Sequence, residues 1–324
     1  MMDRRRAIAA AVAALALLAA GWFLFGGWFV SGPLEKDSTF VVSTGDSLNA
    51  VAERLEKERM ISSARTFSLR ARLFGGGSPI KVGEFLIPAG ASASKILAII
   101  QSDDVIRRLV TIPEGMPSIM VRDRLMAQPH LVGDIAIPAE GSVLPDSYDF
   151  ERRESREALL RRMQTAMSTT LAEAWAKRAP GSVVRTPQET VVLASIVEKE
   201  TGKPSERRMV AGLYSNRVRK GMLLQADPTI IYPITQGKPL GRRIRQSEIQ
   251  AVNGYNTYTM TGLPQGPITN PGKASIEAVL NPAKTQALYM VADGTGGHQF
   301  SATLEQHNAA VEKWFAIRRA RGEM

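Results

Sequence analysis

The chain counts 324 residues, 44% of them hydrophobic, with 41 Lys plus Arg against 31 Asp plus Glu, a formal net charge of +10 and no cysteine. That length suits about two domains with ample material for a core, and the missing cysteine excludes disulfides, thiol chemistry and Cys-ligated metal. The basic balance points to nucleic acid in a cytoplasmic protein, to anionic lipid or an acidic wall polymer outside a membrane, or to nothing beyond a soluble surface.

The N-terminus decides between these. Arg4-Arg5-Arg6 precedes an uninterrupted apolar run from Ala7 to Val30 that includes Trp22, Phe23, Phe25, Trp28 and Phe29. A run of that length crosses a hydrocarbon core of about 30 Å. A removed signal peptide has a shorter apolar region and a small-residue cleavage site soon after it. Here aromatics crowd the far end, as in an interfacial belt, and Ser31-Gly32-Pro33 leads away. The expectation is a cytoplasmic N-terminus at 1–6, one retained transmembrane helix over 7–30, a linker at 31–38, and the rest of the chain outside the membrane. Nucleic acid drops out as a partner. About eight linker residues reach at most about 28 Å, which keeps the first folded module close to the bilayer.

Thr39-Phe40-Val41-Val42 reads as a strand that enters Ser43-Thr44-Gly45-Asp46-Ser47. A helix carrying Val51, Ala52 and Leu55 at core spacing comes next, capped by Asp46 or Ser47. Strand, Gly-Asp-Ser turn and helix resemble the first half of a LysM module, a small fold that binds chitin-like and murein glycans. A helix (66–74), a glycine loop (75–77), a strand (82–87) and a helix (94–101) complete one module over 39–105. Arg108–Ile112 then opens a second domain, 106–324, as a strand. Helices are expected at 118–128, 152–177, from Thr186, and at 210–220. A long irregular stretch rich in Pro, Gly, Asn and Tyr runs to Pro271, and such loops usually line a site. Helix 273–280, strand 287–292, turn 293–297, strand 299–301 and helix 304–318 close the chain. The mixture is α+β.

The helix from Thr186 is the most informative element. Thr186-Pro187-Gln188-Glu189 reads as a capping box with proline at the first helical position, and Gly202 and Pro204 stop it. Counting back from Glu200, its face carries Ile196, Val197, Leu193 and Val192. A glutamate continuing an apolar stripe is costly unless protonated, paired or in use. Burial and the negative end of the helix dipole both push its pKa upward, the condition for a general acid near neutral pH. The alternative is a buried glutamate held by an arginine such as Arg207 or Arg208. Glu198, two residues away, faces elsewhere and reads as a supporting or substrate hydrogen-bonding group.

Other chemistries fall away. His130, His298 and His307 lack metal-ligand spacing, so no metal is expected. Ser195 has Glu198, not lysine, three residues on, and no Lys-Thr-Gly occurs, against a penicillin-binding serine enzyme. Asp293-Gly294-Thr295-Gly296-Gly297 lacks a phosphate-loop lysine and reads as a hairpin turn. What remains is one well-placed acid with Gln225-Ala226-Asp227-Pro228-Thr229 and Tyr255-Asn256-Thr257-Tyr258, amides, hydroxyls and ring faces of the sort that hold sugars, or else turn and core residues.

Leu193–Thr201, Asn216-Arg217, Leu224–Thr229, Tyr255–Tyr258, Gly262-Leu263-Pro264 with Pro267-Ile268, Asn270-Pro271-Gly272 and His298-x-Phe300 succeed one another in order. Carrying these motifs from about residue 39 to its C-terminus, the chain resembles the YceG-like endolytic murein transglycosylases, single-pass proteins of the bacterial inner membrane whose C-terminal domain faces the periplasm. Two departures stand out. Glu140-Gly141-Ser142-Val143-Leu144-Pro145-Asp146-Ser147-Tyr148 replaces the family's Glu-Gly-Tyr-Leu-Phe-Pro-Asp-Thr-Tyr, and Gln265 stands where proline is frequent.

The resemblance implies that Glu200 is the catalytic acid, in agreement with the face argument. It implies cleavage between N-acetylmuramic acid and N-acetylglucosamine with a 1,6-anhydro product, a lyase reaction that needs no cofactor. Ser195, Glu198, Gln225, Asp227, Tyr255, Asn256 and Tyr258, with Glu140 and Asp146, are then expected to position substrate. Glycan strands are the implied ligand and penicillin-binding proteins or other wall synthases the implied partners. The rival is a non-catalytic, membrane-anchored scaffold that docks on glycan.

Overall fold

The computed structural model describes residues 2–21 and 26–323. The chain divides into two compact units, Met1–Arg108 and Leu109–Met324.

Helix α1, Met2–Gly21, leads the first unit. Among the described residues no helix is long and apolar enough to cross a membrane; the expected span 7–30 includes residues 22–25, which lie outside the described residues. Its far end is corrected. Trp28 is buried at 3% exposure and packs 6.0 Å from Phe67 and 6.3 Å from Phe74, while its carbonyl accepts the Ser94 N–H. An indole that has a dry core within reach buries more apolar surface there than at an interface.

Strand β1 (Ser38–Val42) leads to α2 (Leu48–Lys57) and α3 (Ala64–Phe74), then β2 (Gly83–Ile87) pairs antiparallel with β1, Phe40 opposite Phe85, before α4 (Ala93–Gln101). Both capping candidates before α2 are used. Ser47 Oγ accepts the Ala50 N–H at 3.2 Å, whereas Asp46 closes the turn on the Ser43 N–H and pairs with Arg54. Gly45 takes φ +87°, which a side chain would strain. Phe40, Leu55, Phe85, Ile87, Ile96 and Ile100 fill the core between sheet and helices.

Strand β3 (Arg108–Thr111) begins at the last residue of the first unit and runs into the second, where α5 (Ser118–Met126) comes next. Strand β4 (Ser147–Phe150), which alternation did not reveal, pairs with β3, and α6 (Arg156–Ala176) comes after it. Helix α7 (Pro187–Glu200) is central, with α6, α8 (Arg207–Arg219) and α11 (Lys273–Leu280) around it. The stretch expected to be irregular holds two helices, α9 (Asp227–Thr235) and the four-residue α10 (Gln246–Ile249). β5 (Tyr289–Ala292) and β6 (His298–Ser301) form an antiparallel hairpin, and α12 (Leu304–Ala320) ends the fold. The architecture is α+β, with small two-stranded sheets and many helices.

Candidate active site

Helix α7 forms where its cap and stop signals place it. Thr186 Oγ1 accepts the Glu189 N–H at 3.0 Å; the returning Glu189 carboxylate takes the Arg185 N–H at 2.6 Å, one residue before the reciprocal partner of a capping box. Every residue from Thr190 to Val197 is buried. An apolar helix surrounded on several sides is rigid, and it delivers its last residue, Glu200, into the interior edge of the unit.

Glu200 meets α8 and the start of α9. The Tyr214 hydroxyl, on α8, donates to its carboxylate, and the guanidinium of Arg217 and the carboxylate of Asp227 act on it through space. Burial is the largest influence and the Asp227 charge adds to it, while the Tyr214 hydrogen bond and Arg217 oppose them. The Glu200 pKa is raised from 4.5 to about 7. The cation that acts on the buried Glu200 is therefore Arg217, not the expected Arg207 or Arg208. Arg207 instead pairs with Glu114 and, at 3.4 Å, with Glu198, and Arg208 donates to the Asn281 carbonyl.

Arg217 also builds the wall opposite. Its Nε donates to the Leu288 carbonyl at 2.6 Å and its Nη1 to the carbonyls of Leu224 at 2.7 Å and Leu223 at 3.2 Å. These bonds fix the segment that presents Gln225, which is exposed, has φ +52° and takes a weak 3.4 Å contact from the same guanidinium. Asp227 is the first residue of α9, and the Tyr258 hydroxyl donates to its Oδ1. Thr229 and Thr257, both fully buried, stitch the first turn of α9 to the Tyr255–Tyr258 loop through hydroxyls 2.8 Å apart. Burial and the Asp227 hydrogen bond push the Tyr258 phenol well above its ordinary value, as burial and Glu200 do for Tyr214, so both stay protonated donors.

A second cluster lies further along α9. Tyr232 and Tyr255 meet at 4.8 Å between ring centres, and the Tyr232 hydroxyl hydrogen-bonds to Glu140. Glu140 Oε1 also accepts the Ser118 N–H at 2.9 Å and the Asn270 amide at 3.3 Å, and burial raises its pKa despite these bonds.

Other expected site residues are spent on the protein itself. Ser195 is fully buried, donating to the Val192 carbonyl at 2.7 Å and accepting the Ile268 N–H at 3.1 Å. Asn256, also fully buried, donates to three carbonyls, those of Glu248, Ile249 and Ala251, and accepts the Tyr258 N–H. Glu198 takes the Gly272 N–H at 2.8 Å besides Arg207. A Cβ on Gly272 would stand 2.1 Å from Glu114 Oε1, so the Glu114 side chain would have to swing aside to admit one. Asp146 is exposed at the head of β4, its carboxylate on the Ser147 N–H. The cluster around Glu200 thus gathers Gln225, Asp227 and Tyr258 and adds Tyr214 and Arg217. Tyr214 gave no sequence signal beyond a core aromatic; Arg217 stood in a motif without a role.

Two further motifs support the turn after Glu200. Thr201 Oγ1 accepts the Lys203 N–H at 3.0 Å and approaches Glu206 at 3.4 Å. Glu206 binds both the His298 N–H and its Nδ1; although burial works the other way, these bonds hold its carboxyl below the ordinary value. A groove of about 470 Å³ adjoins the cluster, lined by Lys199, Pro228, Ile231 and Ile268 and by Met116 and Met120 opposite.

The model of the YceG-like family matches residues 40–313. The chain belongs to that family. Among its relatives, the endolytic murein transglycosylase of Bacillus subtilis is 27% identical over 93% of this chain and 92% of its own length. The protein of the same name from Streptococcus pneumoniae D39 is 26% identical over 92% of this chain, which spans only 63% of that longer protein. The crystal structure of a YceG-like protein from Listeria monocytogenes superposes with a TM-score of 0.53 at 26% identity, covering 85% of this YceG-like chain and 98% of the other.

Proposed function

We propose that this chain is an endolytic murein lytic transglycosylase that cuts the β-1,4 bond between N-acetylmuramic acid and N-acetylglucosamine in nascent strands and so terminates their growth. Its enzyme class is that of its named relatives. The observation that carries the reaction is the Glu200 carboxyl with its pKa raised to about 7 beside Asp227, Tyr258 and Tyr214.

Glu200 enters protonated and gives its proton to the bridging oxygen as the bond to the anomeric carbon breaks. The sugar's own C6 hydroxyl then attacks that carbon, and its proton passes to the Glu200 carboxylate. The 1,6-anhydro ring closes, the acid is regenerated and no water is consumed. Intramolecular attack has a large effective molarity, so a second carboxylate acting on water is unnecessary. Tyr214 and Arg217 support the anionic state of Glu200, and Asp227 supports its acid state. Gln225, Tyr255 and Tyr258 supply hydrogen bonds and a ring face to the sugars, while Ser195, Glu198 and Asn256 hold the walls.

The first unit anchors and docks. Ile8, Val12 and Leu15 of α1 are all exposed, an uncovered apolar face suited to lipid, and the sequence run Ala7–Phe25 falls within the roughly 17–25 residues a span requires. We place the catalytic unit in the periplasm beside the inner membrane, with wall synthases as partners. The β1–turn–α2 segment serves as the LysM-like glycan contact.

Mass spectrometry of purified murein strands incubated with the full chain, wild type beside Glu200→Gln, tests this. Internal fragments with 1,6-anhydro-muramyl ends, lost in the variant, are expected. Reducing ends would instead mean hydrolysis, with Asp227 as the second carboxylate. No cleavage by a folded, glycan-binding protein would leave a scaffold.

A further inference from the structure

Two loop positions far apart in sequence meet in one place. Ser142 and Gln265 both line a cavity of about 500 Å³ beside α7, distinct from the groove at Lys199. Ser142 brings a small hydroxyl to the cavity wall. Gln265 adds an exposed amide on the rim. Gln164, whose amide lies 3.4 Å from Ser142 Oγ, and Gln188 add further amides. The floor is apolar, made by Met167, Leu171 and Val192. The cavity thus has a polar rim over an apolar floor.

We propose that this cavity is a saccharide subsite that takes an uncharged N-acetylated sugar of the strand several units from the bond being cut. Amides and hydroxyls around an apolar floor match the hydroxyls, N-acetyl group and ring face of such a sugar. No lysine or arginine among the described residues lines the cavity, and Glu140 does, which disfavours the carboxylates of a stem peptide. Position fits a strand that also reaches the acid. Val192, in the floor, precedes Glu200 by about two helical turns on α7, roughly 12 Å. Pro267 lines this cavity and the next residue, Ile268, lines the groove at Lys199, so one short segment borders both. That segment is held by Ser195, and Tyr255 Oη lies 3.1 Å from where a Cβ on Gly266 would stand. A sugar held here engages strand on one side of the cut at a distance, which favours internal cleavage over trimming from an end; this last step rests on the activity proposed above.

The test is calorimetric binding of acetylated chitotetraose, an uncharged probe without stem peptide, to the full-length Glu200→Gln protein. Ser142→Tyr, which adds a ring at the cavity wall, is expected to weaken binding about tenfold, or about 1.4 kcal/mol. Gln265→Ala, a truncation on an exposed rim that spares the fold, is expected to weaken it several-fold. Unchanged saccharide affinity in both variants overturns the subsite, as does loss of affinity for a free stem peptide instead of the saccharide. Wild-type murein cleavage is assayed in parallel. Cleavage with unchanged affinities overturns the subsite and leaves the activity standing; weakened affinities without cleavage support the subsite and remove the activity.

Discussion

Glu198 and Glu200 stand two residues apart on α7 and are held in opposite ways. Glu198 is a clamp, its side chain 4% exposed, with one oxygen on the Gly272 N–H and the other toward Arg207. Glu200 receives one phenol and faces a carboxylate, so its environment resists the anion. The 200° that separates residues i and i+2 on a helix sends them to different neighbours. One carboxylate is tied into the fold, and the other is free to trade a proton.

The raised pKa of Glu200 has a cost that pH reveals. In the unfolded chain this carboxyl titrates at 4.5, and in the folded protein at about 7. Below about pH 4.5 both states are protonated and nothing is lost. Between the two values the unfolded state ionises first, and above about pH 7 folding carries the full cost, about 3 kcal/mol. Glu200→Gln removes the charge. Its urea midpoint should exceed the wild type's at about pH 8 and match it at about pH 4. Equal offsets at both pH values would contradict a raised folded-state pKa. Turnover by the same variant should fall about 10²–10⁴-fold.

The neighbours of Glu200 should move its titration in opposite directions. Wild-type kcat/KM is expected to fall above about pH 7 as the acid form is lost. Tyr214→Phe removes a hydrogen bond to the carboxylate, so the pKa rises and the alkaline limb moves to higher pH. Asp227→Asn removes a repelling charge while keeping an acceptor for Tyr258, so the limb moves to lower pH. A pH–rate profile for each variant decides it; shifts of the same sign in both would refute the assignment of these two influences.

The sequence carried α7 and its acid because each level agreed: cap, proline, apolar face and stop all pointed to one helix with Glu200 at its end. It did not carry α9 and α10. The first has Ala226 at its N-cap without a side-chain bond and Pro233 inside it, and the second is a single turn of four residues. Their stability comes from contacts far away in sequence, such as Thr229 with Thr257. Trp28 was misread because an aromatic at the end of an apolar run has one signature for a membrane interface and for a core. Ser195 and Asn256 show the same ambiguity at the site. A polar side chain in a loop motif reads alike whether it binds sugar or ties off carbonyls, and only the saturation of its partners separates the two.

Removing the Glu198 clamp should act on stability first. Glu198→Ala leaves the Gly272 N–H without its acceptor and strips Arg207 of a buried partner, although Glu114 still pairs with that guanidinium. An unsatisfied buried donor and a weakened ion pair cost roughly 2–3 kcal/mol. Glu198→Gln keeps the oxygen for Gly272 and should lose less than half as much. Thermal melting of the two variants orders them, and an alanine variant as stable as wild type would show that the clamp is idle.

Asn256 sits at a point where structure and substrate contact make different predictions. Its amide donates to the carbonyls of Glu248 at 3.3 Å, Ile249 at 3.0 Å and Ala251 at 2.6 Å, and its Oδ1 accepts the Tyr258 N–H at 3.0 Å. With all these atoms engaged, Asn256→Ala should destabilise by roughly 2–3 kcal/mol. Hydrogen exchange should accelerate first around residues 248–258, because the segment loses its central tie before the helices of the core open. Activity should drop with it, since Tyr258 loses the bond that positions it over Asp227. A direct sugar contact would leave melting and exchange untouched and raise KM alone. Hydrogen–deuterium exchange of wild type and variant, read beside the KM for murein strands, separates an amide that builds the wall from one that touches the glycan.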